Sequence, residues 1–158
     1  MLPILVPALM LQSGWKVVSP KGERFSVKMA ATPELQKMEN NQQGYSVKTR
    51  IYRAMTSSGL VQVVVMNPGS KADPAFRKAL LGGFKGGLIR SSGGKELSDK
   101  PGKIGPYTGQ RVTFSVGKNV GEYWAIQSKG DIFVIAAVAP AGKLDALKKP
   151  FFSSFKLK

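Results

Sequence analysis

The chain of 158 residues has no cysteine and no histidine. The first absence excludes disulfides and thiolate chemistry, and the two together exclude the ordinary zinc, haem and iron–sulfur ligand sets. Lack of histidine also removes the side chain that usually moves protons near neutral pH. Acidic residues are scarce, 9 against 24 Lys plus Arg, for a formal net charge of +15. No apolar run reaches the roughly 20 residues of a membrane-spanning helix, and no run of like charge is longer than Lys148-Lys149. What remains is ordinary globular material, 42% hydrophobic and 9% aromatic, of a length that suits one domain.

A strongly basic chain fits an anionic partner, whether nucleic acid, membrane surface or acidic protein. The cations are 18 Lys and only 6 Arg. Arg is the preferred residue for bidentate phosphate and base contacts, so this balance leans towards a non-specific field.

Met1 to Trp15 carries no charged side chain, and Leu2, Ile4, Leu5, Val6, Leu9, Met10 and Leu11 form an apolar block. The block has the length of an export-signal core, with Leu11-Gln-Ser13 as a cleavage site. No Lys or Arg precedes it, and the alternative is a buried N-terminal segment interrupted by Pro3 and Pro7. The expectation adopted is a signal over residues 1–13, a single domain over 14–158, and a periplasmic or secreted product.

Beyond Gly14 the pattern is mostly of period two, as in half-buried strands. Trp15 to Val18 reads as a strand, and Phe25, Val27 and Met29 alternate with polar neighbours. Glu34 to Glu39 fits a strand or a helical turn, and Asn40 to Gly44 reads as a loop. Tyr45 to Ala54 and Leu60 to Met66 form a meander. Asp73 and Pro74 are a helix-start pair, and Phe76, Leu80, Gly83, Phe84 and Gly87 make one stripe. Four interior glycines weaken that helix, so close approach of Gly83 and Gly87 to a sheet is expected to compensate. Lys95 to Asp99 is a strand and Lys100 to Gly109 a connection. Arg111 to Val116 points Val112, Phe114 and Val116 inward, Glu122 to Ser128 follows, and Lys129-Gly130 turns into Ile132 to Val138. The last of these has no alternation at all, so it belongs mid-sheet with cover on both sides. A short helix over Lys143 to Phe152 and a closing strand at Phe155 to Leu157 complete an α+β fold, an antiparallel meander flanked by helices on both faces.

The opening Trp15 and Phe25-Ser-Val27-Lys-Met29, the meander through Tyr45 and Val64, and the single mid-chain helix follow a known order. So do the Gly105-to-Gly109 approach to a hairpin pair and the closing Phe151-Phe-Ser-Ser-Phe155. With them the chain resembles the PsbP-like (DcrB and DUF1795-related) fold family from Gly14 to Lys158. The resemblance implies an α/β/α sandwich, export to periplasm or lumen, and a non-catalytic accessory or binding role with no cofactor, metal or catalytic residue to carry over.

Catalytic motifs are weak. Gly93-Gly94-Lys95-Glu96 has Ile89 where a phosphate loop needs its first Gly and Glu96 where it needs Ser or Thr. Ser-x-x-Lys spacing occurs at Ser13/Lys16, Ser92/Lys95, Ser115/Lys118 and Ser153/Lys156, as chance supplies in a Lys-rich chain, without the partner motifs of acyl-transfer enzymes. Glu34 and Glu39 are five apart and face opposite ways on a strand. Gly83-x-x-x-Gly87 is interrupted by Lys85, and Arg90 follows it, which opposes membrane-helix pairing. The candidate partner-binding residues are Lys48, Arg50 and Tyr52 on one strand, with Arg111 and Lys118 on a second. Cations beside an aromatic suit an anionic partner, or alternatively a nucleic-acid strand held by phosphate contact and stacking. Against both stands an ordinary solvated sheet face.

Overall fold

The computed structural model describes residues 15–158. The expected export segment, residues 1–13, lies outside the described residues.

The unalternating segment lies where its composition requires. Strand β9 (Asp131–Pro140) is fourth of seven in an antiparallel sheet of order β3-β4-β5-β9-β8-β7-β6. The other strands are β3 (Glu34–Gln42), β4 (Tyr45–Thr56), β5 (Gly59–Asn67), β6 (Lys95–Ile104), β7 (Tyr107–Val116) and β8 (Asn119–Ser128). Two meanders, β3 to β5 and β6 to β9, join where β5 pairs with β9. Helix α1 (Pro74–Ile89) connects them.

Along β9, Phe133, Ile135, Ala137 and Ala139 enter one buried cluster, and Ile132, Val134 and Ala136 enter another on the opposite face. Phe76, Leu80 and Ile89 of α1 cover the second face. The first face departs from the sandwich expected from the sequence. Part of its cover is β structure, a three-stranded sheet of β1 (Lys16–Val18), β2 (Phe25–Met29) and β10 (Lys156–Leu157). Helix α2 (Leu144–Ser153) contributes Leu144, Leu147 and Phe151 to the same cluster. The period-two pattern of Phe25, Val27 and Met29 is common to a strand of the main sheet and a strand lying across it. Long-range packing decides between them.

The closing Phe-x-Ser-Ser-Phe motif has a structural role. Phe155 stacks on Phe25 with centroids 6.2 Å apart and meets Phe133 and Tyr107 edge-on. Ser154 Oγ accepts the Lys28 N–H and donates to the Phe151 carbonyl, pinning β2 to the end of α2.

Loop expectations shift at two hairpins. Asn40, Asn41 and Gln42 are strand, because the turn is made by Gln43 and Gly44 alone, at φ 50° and 83°. Two consecutive left-handed residues are the tight hairpin geometry that matches strand twist. Likewise Lys100 to Ile104 and Tyr107 to Gly109 are strand rather than connection. Pro101 is tolerated because β6 is an edge.

Helix α1 begins as expected, Asp73 Oδ1 accepting the Phe76 N–H at 2.7 Å. Its glycines do not behave as expected. Gly83 and Gly87 are exposed, and a Cβ built on Gly82, Gly83, Gly86 or Gly87 meets nothing within 4 Å. Their cost to the helix is therefore not offset by close packing. Replacing each with Ala should raise stability by about 0.5–1 kcal/mol. Gly109→Ala should lower it by about 1–3 kcal/mol, since its Cβ would sit 2.5 Å from the Ala125 carbonyl oxygen. Urea midpoints of the five variants measure both signs.

Candidate functional site

The even-numbered side of β4, expected to be a solvated binding face, points into the core-covered side of the sheet. Tyr52 is 7% exposed and its hydroxyl donates to Glu23 at 2.5 Å. Arg50 donates through Nε and Nη2 to the two oxygens of Glu23, at 2.6 and 2.9 Å. Burial alone pushes the Glu23 carboxyl up, but the hydrogen bonds from Arg50 and Tyr52 outweigh it and hold the group below its usual range. The Tyr52 phenol is pushed up to about 12, first by burial and then by its bond to Glu23. Arg50 and Tyr52 are thus committed inside the molecule. Of the three candidates on this strand only Lys48 is exposed, with Glu39 and Asn67 as its cross-strand neighbours.

Arg111 repeats the arrangement. Its Nη2 donates to Glu122 Oε1 at 2.8 Å, where Lys148 of α2 also donates at 3.0 Å, while Trp124 Nε1 donates to Oε2 at 3.1 Å. Burial again raises the Glu122 carboxyl, and Arg111 and Lys148 more than reverse it. Tyr52, Val63, Ile135, Trp124 and Arg111 form one cross-strand row. Its two ends are four strand spacings apart, roughly 19 Å. The row brings these candidates into register but not into contact, and Lys118 lies exposed in the β7–β8 turn. Neither buried carboxylate was singled out from the sequence. Glu122 carried a signal, since it shares the strand parity of Trp124 and Ile126, whereas Glu23 sits in a turn and carried none.

These networks sort the surface charge. Among the described residues six of the nine acidic side chains form ion pairs: Glu23, Glu96, Asp99, Glu122, Asp131 and Asp145. A seventh, Asp73, caps α1. Most lysines face solvent without a counter-ion. Lys28 and Lys156 line a depression of about 420 Å³ between the small sheet and the end of α2, together with Ser26 and Ser153. Ser153 and Lys156 are one of the four Ser-x-x-Lys pairs, here beside a second lysine.

A larger groove of about 630 Å³ runs beneath α1, with Leu81 and Gly82 above Val112, Tyr123 and Ala125. Lys85 bridges Glu96 and Asp99 at 2.7 and 2.8 Å at its rim. The Asp99 bond raises Lys85 and lowers Asp99, and burial raises Tyr123. Among the described residues these shifts run away from neutral pH, carboxyls downward and bases and phenols upward.

Two outcomes follow for the carboxylates. Arg50→Glu should lower stability by about 3 kcal/mol or more, because it sets a second carboxylate against a buried one. Lys48→Glu should stay within about 0.5 kcal/mol, a contrast that chemical denaturation resolves. Glu23 and Glu122 have folded-state pKa values below their unfolded ones, so the stability they give is present above the unfolded value. It is lost as pH falls through the folded value. Melting should be insensitive to pH down to about 5 and fall below about 4, and Glu122→Gln should flatten that acid limb while lowering stability at pH 7.

No protein-family model matches the chain, and no curated protein matches it. Solved structures do. The solution structure of cyanobacterial PsbP (CyanoP) from Synechocystis sp. PCC 6803 aligns with a TM-score of 0.61 at 9% identity, over 92% of this chain and 93% of that one. A crystal structure from Bacteroides thetaiotaomicron VPI-5482 aligns at 0.49 and 12% identity, over 92% of this chain and 49% of that one. At 9% identity the likeness to CyanoP is one of architecture: this chain has a PsbP-like fold.

Proposed function

We propose that this chain is a non-catalytic, exported accessory protein of the DcrB- and DUF1795-related part of the PsbP-like family. It holds an anionic partner, a protein or a membrane surface, through its basic exterior. The observation that carries this reading is the imbalance of ion pairing. Six of the nine acids pair with only five of the 24 cations and a seventh caps a helix, so most lysines are left at the surface without a counter-ion. Lys28 and Lys156 flank free hydroxyls in a depression able to receive a carboxylate, sulfate or phosphate group. A non-catalytic role is supported by the direction of the pKa shifts at the ion-paired and buried groups, none of which moves its group towards neutral pH. Among the described residues no helix is long and apolar enough to cross a membrane, which fits attachment from outside. The nucleic-acid alternative loses its stacking platform, because Tyr52 is buried.

Retention on heparin and on vesicles of phosphatidylglycerol and phosphatidylcholine tests the reading, along with fractionation of expressing cells to locate the protein. Binding should fall with salt, since exposed charges are screened beyond about 8–10 Å at physiological ionic strength. Lys28→Glu with Lys156→Glu lowers the net charge from +15 to +11 and should weaken binding about tenfold, a difference near 1.4 kcal/mol. Lys71→Glu with Lys103→Glu makes the same change in charge and should do much less. Equal losses would reduce the effect to bulk charge.

A further inference from the structure

We infer that β3 is a self-association edge, pairing antiparallel with β3 of a second copy of this chain about a two-fold axis at Met38. The inference is independent of the proposed anionic partner.

The two edges of the seven-stranded sheet are built differently. An open edge exposes unpaired backbone donors and acceptors and is ordinarily blunted by proline, bulges or charged side chains. Strand β6 has all three, with Pro101, a register break between Glu96 and Ser98, and charges at Lys95, Glu96, Asp99, Lys100 and Lys103. Strand β3 has neither proline nor bulge, and its charges, Glu34, Lys37 and Glu39, are of both signs and can pair with those of a second copy. Its nine residues are all exposed, and its register with β4 runs unbroken from Glu34 opposite Arg53 to Gln42 opposite Tyr45. Among the described residues it pairs on one side only. It also carries two solvent-facing apolar side chains, Leu35 at 49% and Met38 at 40% exposed.

Charge selects the occupant and the register. A two-fold normal to the sheet sets residues of equal parity opposite one another, pointing to the same face. Centring it on Met38, the midpoint of β3, pairs all nine residues. Lys37 then faces Glu39 of the second copy, and Glu39 faces the second copy's Lys37. Sliding one allowed step either way sets Lys37 against Lys37 or Glu39 against Glu39, and like charges directly opposite are unfavourable. Within its own chain Lys37 has a like charge, Arg50, as its cross-strand neighbour. Glu39 lies opposite Lys48 and accepts one hydrogen bond, from Ser46 Oγ at 2.9 Å to Oε1, leaving Oε2 for the incoming lysine. Among the described residues Lys37 forms no ion pair within its own chain and feels Glu23, which Arg50 already holds, only at longer range; the pairing gives it a carboxylate at contact distance. It closes at two copies, because the resulting sheet ends in β6 on both sides.

Sedimentation velocity over a wide concentration series tests the inference on the full chain, with circular dichroism confirming that each variant is folded. The wild type should show a reversible monomer–dimer equilibrium. Lys37→Glu and Glu39→Lys should each weaken it about tenfold, and the double exchange Lys37→Glu, Glu39→Lys should restore it, since both inter-copy pairs reform with reversed sign. Asn41→Pro, which removes a backbone donor that the two-residue Gln43-Gly44 hairpin turns away from β4 and towards the second copy, should abolish it. A monomer at every concentration would overturn the inference. So would open-ended assembly, a double exchange as weak as the single variants, or a dimer indifferent to Asn41→Pro.

Discussion

The architecture depends on one constraint: β9 has no side on which to meet water. From Ile132 to Val138 every side chain is apolar, and six of the seven are buried. Burying each such Val, Ile or Phe is worth about 1.5–3 kcal/mol relative to exposure, but only when both faces of the strand are covered. Placing β9 fourth of seven lets β5 and β8 satisfy its backbone while α1 covers one face and the small sheet with α2 covers the other. The two meanders could not simply follow each other along the sheet. The second must fold back so that its last strand joins the last strand of the first, and α1 spans that reversal.

The covered face is also where the charges are organised. Glu23 and Glu122 lie on the same side of the sheet as Phe25, Trp124 and Phe151, one towards each flank of the apolar centre. Each carboxylate is ringed by donors: Arg50 and Tyr52 around Glu23, and Arg111, Lys148 and Trp124 around Glu122. Both clusters stitch a cover element to the main sheet, the turn before β2 in one case and α2 in the other. Buried charge demands this degree of pairing. A consequence appears at the surface. A chain with few acids commits six of them to ion pairs with only five of its cations, so most of its lysines are left without a counter-ion.

Elements were legible in the sequence wherever local chemistry decided them. The Asp73-Pro74 helix start, the alternation of Phe25, Val27 and Met29, and the Lys129-Gly130 turn all rest on neighbouring residues and survive in the structure. The dryness of β9 was legible for the same reason, since an unbroken apolar strand has one stable environment. Errors arose where the deciding contact was distant. Gly83 and Gly87 fall on the apolar stripe of an ideal helix, yet the way α1 sits on the sheet leaves them facing solvent.

The candidate site shows the division most clearly. Strand alternation put Lys48, Arg50 and Tyr52 on one side of β4, and they are on one side. Which side faces water was set by Glu23, 27 residues before Arg50 in the chain, and by the cover that carries it. By itself the sequence determined the strands, their polarity patterns, the helix start and the excess of positive charge, because each follows from residues within a few positions of one another. Tertiary structure alone decided that Arg50, Tyr52 and Arg111 serve buried carboxylates while Lys28 and Lys156 share an open depression. A side chain's partner depends on which elements pack together, and packing joins residues that no local pattern relates.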